Sequence, residues 1–431
     1  MEGLPRTYFG LVGRKLGHSW SPAIHAKLSE VPYVLREVEP DGLEALVREE
    51  TAWLGLNVTI TYKRDVMRLA DEVSSAAERI GAANTLVRRA DGSIYADNTD
   101  VSGFAYLLDR FCERELGRPA HEALCGRKAL VLGSGGASAA VVCALEDAGA
   151  VPVVISRRGP EDYASVRARH ADASLVVNAT PVGMYPNCPA TPLDADTLRA
   201  LPRLLGVVDV VYNPTRTGIC LAAEEAGIPS ESGLAMLVAQ AVRSSELFQG
   251  RELDLRAIGS IEQDILRQTL GICLIGMPGV GKTTTGKRLA RMLGRPFVDM
   301  DDAFTIATGM TPSDCIRSQG EGAFRRLETE QLRRYSKEPG LVMACGGGVV
   351  TREENRPLVR QNSYVVMLSR DISQLSQRNR PISQAKGLER LARERMPLYR
   401  AWADVEVDCL GSAFADAEQI ARLFTQGPAL S

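Results

Sequence analysis

Short apolar runs alternate with helix-like segments along this 431-residue chain. KALVLG, VPVVIS, SLVVNAT and LLGVVDVVY stand in the first part, and GICLIG, LVMACG and SYVVML further on. This βαβ rhythm predicts an α/β protein with mostly parallel sheets and helices on both faces. No internal repeat or low-complexity tract interrupts it. The weakest-patterned stretch is QGRELDLRAIGSIEQDILRQTLG, residues 249–271. It is charged and runs straight into a new strand and loop. The main boundary is therefore expected near residue 265, at a short linker, helical or not.

The length suits two or three domains. Hydrophobic content of 45% with only 5% aromatics fits α/β domains rich in aliphatic strands. A net charge of -2 gives no reason to expect nucleic acid or an anionic membrane as partner. Nine scattered cysteines without a C-x-x-C pair argue against a disulfide framework or a zinc site, and for a reducing cytosol. The N-terminus MEGLPRTYFGLVG lacks the basic and apolar regions of a signal peptide, which points to the cytoplasm. No apolar stretch reaches the ~18 residues that cross a bilayer. The sequence fixes no oligomeric state.

Two glycine-rich turns carry the first chemical signals. GRKALVLGSGGASAAVVCALEDAGA reads as strand, tight turn, helix. Gly133 permits the turn, and Gly135 and Gly136 let the backbone approach a pyrophosphate on the helix N-terminus. Ser138 stands where G-x-G-x-x-G has its last glycine, so a plain strand-to-helix turn also fits. The next strand ends in Ser156, Arg157 and Arg158, where an NAD enzyme shows an acidic residue. A guanidinium there suits a 2′-phosphate, hence NADP, although two arginines at a strand end also fit solvated surface.

Polar residues flank that loop. In GHSWSPAIHAKL, Ser19 and Ser21 lie two apart, so an extended segment would point both hydroxyls one way, toward a carboxylate. GLNVTITYKRDV places Asn57, Thr59 and Lys63 at a strand end, GAANTLV adds Asn84, and YADNTDVSGF adds Asp100. Taken singly each fits a cap or turn, and Asp100 could cap the following helix. Together they suit hydride transfer to a ketone, with a lysine giving the proton to the developing alkoxide and an aspartate orienting it.

Residues 1 to about 262 resemble shikimate dehydrogenase. The resemblance rests on the S-x-S stretch, N-V-T-x-x-x-K, G-A-x-N-T, D-N-T-D, G-x-G-G-A-S, NATPVGM, DVVYNPTRT and GLAMLVAQA, in the family's order. It implies that Ser19 and Ser21 hold the substrate carboxylate, and that Thr59, Asn84, Tyr212 and Gln240 hold its hydroxyls and ring. Lys63 and Asp100 would be the catalytic pair. Gly133, Ser134, Gly135, Gly136 and Ala137, with Ser156, Arg157 and Arg158, would bind NADP, and Gly233 would line the nicotinamide side. The implied layout is a substrate domain of residues 1–105 completed by 230–262, and a Rossmann NADP domain of residues 106–229. Thr61 stands where the family has proline, which should loosen the loop that positions Lys63. Ser156-Arg157-Arg158 replaces the family's Asn-Arg-Thr, and Ala235 its second glycine in GLGML.

The second turn, GMPGVGKT at 276–283, satisfies G-x-x-x-x-G-K-[ST] between a strand and a helix. Backbone N–H groups from Gly279 through Val280, Gly281, Lys282 and Thr283 to Thr284 should wrap phosphates. Lys282 should reach the β/γ-phosphates and Thr283 should hold Mg²⁺. That names a nucleotide and not an acceptor. RPFVDMDDAF supplies Asp299 and Asp301, one suited to magnesium water and the other to a substrate hydroxyl, although Asp301 or Asp302 also fits as a helix cap. GEGAFRRLE supplies Arg325, ACGGGVV the turn Gly346, Gly347 and Gly348, and NRPIS and RERMPLYRAWAD supply Arg380 and Arg395.

From about residue 271 onward the chain is similar to shikimate kinase, through G-x-x-G-x-G-K-[ST], D-x-D, G-E-x-x-F-R-x-x-E, G-G-G, R-P and R-x-P-L-Y. The resemblance implies a P-loop kinase domain at 271–431 behind a linker at 263–270. Asp301, Arg325, the glycine turn and Arg395 would bind shikimate, with the two arginines on its carboxylate. Asp299 would order magnesium, and Arg380 would meet ATP from a lid. QRNRPIS leaves one residue between Arg378 and Arg380, which predicts a shorter lid than is usual.

The expected whole is a bifunctional enzyme of aromatic amino-acid biosynthesis. It would reduce 3-dehydroshikimate with NADPH and phosphorylate shikimate with Mg-ATP. Alternatives are a quinate/shikimate dehydrogenase using NAD, which an acidic residue at position 157 would have favoured, and a sensor without turnover, which loss of Lys63, Asp100, Lys282 or Asp299 would have signalled. A GTPase would show N-K-x-D, which is absent.

Overall fold

A computed structural model describes residues 5–17, 19–375 and 387–427. Its strands form three sheets. The first contains β1 (Tyr8–Gly13), β2 (Tyr33–Glu37), β3 (Trp53–Val58), β4 (Glu72–Val73), β5 (Thr85–Arg88) and β6 (Ile94–Asp97), in the order β2-β1-β3-β5-β6-β4. The second contains β7 (Lys128–Leu132), β8 (Val151–Ile155), β9 (Leu175–Asn178), β10 (Gly206–Asp209) and β11 (Ser230–Glu231), in the order β11-β10-β9-β7-β8. The third contains β12 (Gly271–Gly276), β13 (Phe297–Asp299), β14 (Val342–Ala344), β15 (Ser363–Ser369) and β16 (Val405–Asp408), in the order β13-β14-β12-β15-β16.

The second and third sheets are parallel throughout, as the βαβ rhythm predicts. In both, the glycine loop follows the strand where the order reverses (β7 or β12), the place where open parallel sheets bind ligands. The first sheet departs from the expectation. β5 runs antiparallel to both β3 and β6. Its hairpin turns at Asp91-Gly92, with Gly92 at φ +85° and the Arg89 N–H donating to the Ser93 carbonyl. An Asp-Gly pair between two short strands favours a tight hairpin over a helical crossover.

The chain divides into two compact units. The first comprises Met1–Val182, Thr191–Tyr212 and Ala222–Glu262, and the second Gly183–Ala190, Asn213–Leu221 and Gln263–Ser431. The stretch expected as a linker lies in a helix, Arg256–Thr269, with Ile258, Ile261 and Ile265 buried at helical spacing. Arg110 donates to Glu231 and Glu262 in the first unit, both carboxylates being buried. In the second unit, the segment Asn213–Leu221 is held by Arg216. Its guanidinium reaches Asp404 Oδ1 at 2.5 Å and donates to the Arg360 and Ser363 carbonyls. Arg216 and Asp404 are both buried, at 8% and 0% side-chain exposure. All nine cysteines are free thiols. Among the described residues no helix is long and apolar enough to cross a membrane.

Candidate active sites

A cavity of 250 Å³ in the first unit gathers residues from segments far apart in sequence. It is lined by Ser19, Ser21, Asn57, Thr59, Lys63, Asn84, Asp100, Tyr212, Gly233 and Gln240. Lys63 Nζ donates to Asp100 Oδ2 at 2.6 Å, and Asn84 Nδ2 donates to Asp100 Oδ1 at 2.9 Å. The pair is partly open, at 28% and 17% side-chain exposure, so it faces the cavity without being lost in the core. Asp100 opens the helix Thr99–Leu116 but does not cap it. Asn98 is the cap, its side chain accepting from the Asp100 N–H at 3.2 Å. That leaves both Asp100 oxygens for Lys63 and Asn84. Burial pushes the Tyr212 phenol up. Leu11, Val58, Val210, Met236 and Leu237 supply apolar wall, which the motifs did not single out.

Two local expectations differ from what is found. Ser19 and Ser21 are not on an extended segment. Trp20 has helical angles, Pro22 starts the helix Ser21–His25, and Ser19 Oγ accepts from the Ser21 N–H at 3.2 Å. Both serines still line the cavity, because the turn rather than a strand presents them. The loop before Lys63 takes a backbone the family's proline would not predict. The Tyr62 N–H donates to the Thr59 carbonyl, which closes a turn with Thr61 at φ +94°. A proline there would need a φ of about −65°. The backbone at this position is therefore one that the family's usual residue does not adopt.

The first glycine loop follows β7. Gly133 has φ +107°, and a Cβ there would press on Thr180 Cγ2 at 2.8 Å. Gly135 caps the helix Gly136–Asp147, and a Cβ at Gly135 or Gly136 would meet nothing within 4 Å. Ser134 and Gly135 line a depression with Ser138 and Val154, while Ala137 lies in the first helical turn. Twelve residues of helix thus aim an unobstructed N-terminus outward, which fits a pyrophosphate. Ser138, in the place of the third glycine, is buried and donates to the Gly133 carbonyl at 2.7 Å, so it braces the turn. Arg157 and Arg158 are exposed just beyond β8, with Ser156 half-buried beside them, available to an anion.

A second cavity, of 390 Å³, lies in the second unit. Gly279, Gly281, Lys282, Thr283 and Thr284 line it together with Asp299, Asp301, Arg325, Gly346, Gly347, Gly348 and Arg395. Phosphate loop and acceptor residues thus share one space. Gly279 and Gly281 take φ +89° and +112°, which turns the loop onto the N-terminus of the helix Lys282–Leu293. Lys282 is buried, its ammonium donating to the Gly276 and Met277 carbonyls at 2.8 and 3.0 Å. Val280 is the exception among the expected loop residues. It is 1% exposed in the core, and its N–H donates to the Met277 carbonyl.

Thr283 Oγ1 donates to Asp299 Oδ2 at 2.6 Å. The hydroxyl and carboxylate expected around magnesium are therefore adjacent. Among the described residues no cluster of three or more His, Cys, Asp or Glu could hold a metal. A Mg²⁺ that keeps its waters and substrate phosphates needs only one or two protein groups, so the pair fits it. The helix after β13 is capped by Asp299 Oδ1, which accepts from the Asp301 N–H at 2.9 Å, and not by Asp301 or Asp302. Asp301 is left facing the cavity. Loss of solvation of the carboxyl at the cavity wall, then the Asp299 and Glu328 charges, push it up to about 6, although the residue as a whole stays exposed.

Glu328 was missed, although GEGAFRRLE contains it. It accepts from Arg325 Nη1 at 2.7 Å, both side chains being under 10% exposed, and it lines the cavity. The glycine turn is explained by these neighbours. A Cβ on Gly346 would meet Glu328 Oε1, one on Gly347 would meet Pro278, and one on Gly348 would overlap the Arg325 guanidinium. Arg395 Nη1 and the Tyr399 hydroxyl donate to the Gly347 carbonyl. Arg380 and the short lid lie outside the described residues.

Comparisons with known proteins agree with this division. The family model for "Shikimate dehydrogenase substrate binding domain" matches residues 11–86, and that for "Shikimate kinase" matches residues 278–425. A shikimate dehydrogenase (NADP(+)) of Clostridium perfringens is 34% identical over 279 residues, 60% of this chain and 97% of that protein. A chorismate mutase/shikimate 5-dehydrogenase fusion protein from Clostridium acetobutylicum superposes with a TM-score of 0.54 at 34% identity, over 61% of this chain and 97% of that one. Shikimate 5-dehydrogenase from Thermus thermophilus, solved with NADP(H) and shikimate, gives a TM-score of 0.51 at 30% identity, over 60% of this chain and 99% of its own.

Proposed function

We infer how the two cavities divide the work of this chain, which belongs to the shikimate dehydrogenase family and carries a shikimate kinase domain behind it. It is a bifunctional enzyme of the shikimate pathway. The observation that supports the reading is that residues expected for each reaction line a shared cavity: Lys63 and Asp100 with the polar ring around them in one, and the phosphate loop with Asp299, Asp301 and two arginines in the other.

In the first cavity the proposed direction is reduction of 3-dehydroshikimate. Ser19 and Ser21 hold the carboxylate, and Thr59, Asn84, Tyr212 and Gln240 hold the hydroxyls and ring. NADPH, held by the Gly133–Ala137 loop, Ser156, Arg157, Arg158 and Gly233, supplies the hydride when bound. Lys63 delivers a proton to the ketone oxygen as negative charge develops there, and Asp100 keeps the ammonium aimed. In the second cavity Arg325 and Arg395 grip the shikimate carboxylate, and Asp301 accepts from a ring hydroxyl. ATP with Mg²⁺ supplies the phosphoryl group when bound at the Gly279–Thr284 loop. Asp299 and Thr283 would hold Mg²⁺, Lys282 would neutralise phosphate charge, and Arg380 is proposed to add to it. The substrates are small molecules and the proposed site of action is the cytoplasm.

The test is NADPH consumption with 3-dehydroshikimate, with and without ATP, on wild type, Lys63→Ala and Lys282→Ala. Lys63→Ala should lose reduction and keep shikimate phosphorylation, and Lys282→Ala the reverse. Full reductase activity in Lys63→Ala, or normal phosphorylation in Lys282→Ala, overturns the corresponding assignment.

A further inference from the structure

A directional chain of side-chain hydrogen bonds runs along the wall of the first cavity. The Tyr33 hydroxyl, on β2, donates to Asn57 Oδ1 at 2.8 Å. Asn57 Nδ2 donates to Thr85 Oγ1 at 3.4 Å, and Thr85 Oγ1 donates to Asn84 Oδ1 at 2.9 Å. Asn84 Nδ2 then donates to Asp100 Oδ1, whose other oxygen holds Lys63. Every donor along this run points the same way, toward the Asp100 carboxylate. Aligned bonds polarise one another in a low-dielectric interior.

The surroundings suit a fixed relay. Asn57, Asn84 and Thr85 are 7%, 4% and 0% exposed. Asn84 Oδ1 also accepts from the Thr99 N–H at 2.8 Å, so the amide is locked with its NH₂ toward Asp100. The Tyr33 ring stacks on His25 at 4.2 Å and 9°. Burial lowers His25 to about 3, which keeps that ring neutral across any working pH. Neither Tyr33 nor Thr85 lines the cavity, so each acts through another residue.

We propose that Tyr33 and Thr85 are positioning residues of the reduction, joining Asn57 on the cavity wall to the Asp100–Lys63 pair. The proposal rests on the reading of the first cavity as the dehydrogenase site. Its consequence is that the placing of the Asn57 wall and the alignment of the proton donor are linked. Losing either link loosens the same pair.

The test uses the full chain carrying Tyr33→Phe, Thr85→Val, Thr85→Ser and the double variant Tyr33→Phe/Thr85→Val. Phenylalanine keeps the ring on His25 and valine keeps threonine's shape, so each removes only a hydroxyl. Each single change should lower dehydrogenase kcat roughly five- to tenfold, the worth of one neutral hydrogen bond. KM for NADPH and the kinase activity of the same sample should stay put, and Thr85→Ser should restore the rate. Because both lie on one path, the double variant should lose little more than the worse single one. Losses that multiply, or a Thr85→Ser as slow as Thr85→Val, overturn the relay. A wild-type chain that phosphorylates shikimate but fails to reduce 3-dehydroshikimate would instead overturn the reading beneath it.

Discussion

Thr61→Gly should make the dehydrogenase half more stable, and Thr61→Pro should damage it. Thr61 sits at φ +94°, the one non-glycine residue with positive φ among those described, and it is β-branched. Such a conformation costs on the order of 1–3 kcal/mol. Glycine adopts it freely but loses about 0.5–1 kcal/mol through the greater entropy of the unfolded chain. Taking the middle of each range, the net gain is about 1 kcal/mol, or roughly 2–4 °C in Tm for a unit of this size. The strain is tolerated because both sides of the turn are tied down. Thr59 N–H bonds the Val12 carbonyl, the Tyr62 hydroxyl reaches the Val38 carbonyl at 2.6 Å, and the Lys63 carbonyl accepts from Ala83. Proline, at a φ roughly 160° away, breaks this turn two residues before Lys63 and should cost more than the strain it removes. The assay is calorimetric unfolding together with residual dehydrogenase activity after heat pulses, with the kinase activity of each sample as internal control. A Thr61→Gly chain no more heat-resistant than wild type, or a Thr61→Pro chain of normal stability and kcat, would refute the reasoning.

Arg216→Ala removes one partner of a buried ion pair and leaves Asp404 facing Arg360 at 3.5 Å; it should destabilise the second unit by about 3 kcal/mol, read by denaturant unfolding at Trp402. Gly348→Ala drives a methyl into the Arg325 guanidinium and should raise the kinase KM for shikimate at least tenfold while dehydrogenase kinetics hold; an unchanged KM would remove Arg325 from the binding site. Asp301, raised to about 6, binds its proton more tightly folded than unfolded. Its contribution to folding stability is therefore largest below about pH 4 and falls as pH rises to about 6. Shikimate affinity runs the other way, because the protonated carboxyl is the poorer acceptor, so the kinase KM should climb as pH drops through about 6.

What the sequence discloses here depends on whether chemistry or backbone geometry sets a residue. That Lys63, Asp100, Lys282 and Asp299 would come to line cavities was legible because the chemistry proposed for them tolerates few residue types, and those types recur at fixed spacing. The parallel sheets were legible because buried strands need apolar runs. The turn at Thr61 was not, since nothing in threonine's own preferences points to positive φ; only the anchored residues around it impose that. The S-x-S segment misled because spacing by two suggests a strand, whereas Pro22 starts a helix there. Arg216 and Asp404 lie 188 residues apart, and no local pattern announces such a pair.

The three glycines at 346–348 show why residue identity and its cause must be separated. Their presence invites the reading that a ligand approaches the backbone. In the fold the space a Cβ would fill already belongs to Glu328, Pro278 and Arg325. The turn is bare so that these protein groups can pack against it, while the three glycines still line the cavity beside them. Arg395 closes the same set by bonding the Gly347 carbonyl at 2.9 Å. The two cationic groups proposed for one carboxylate are thus located through a single turn: one packs on it and the other bonds to it. A phosphate loop specifies only a nucleotide; in the proposed reading the acceptor is chosen by this second, glycine-built corner of the cavity.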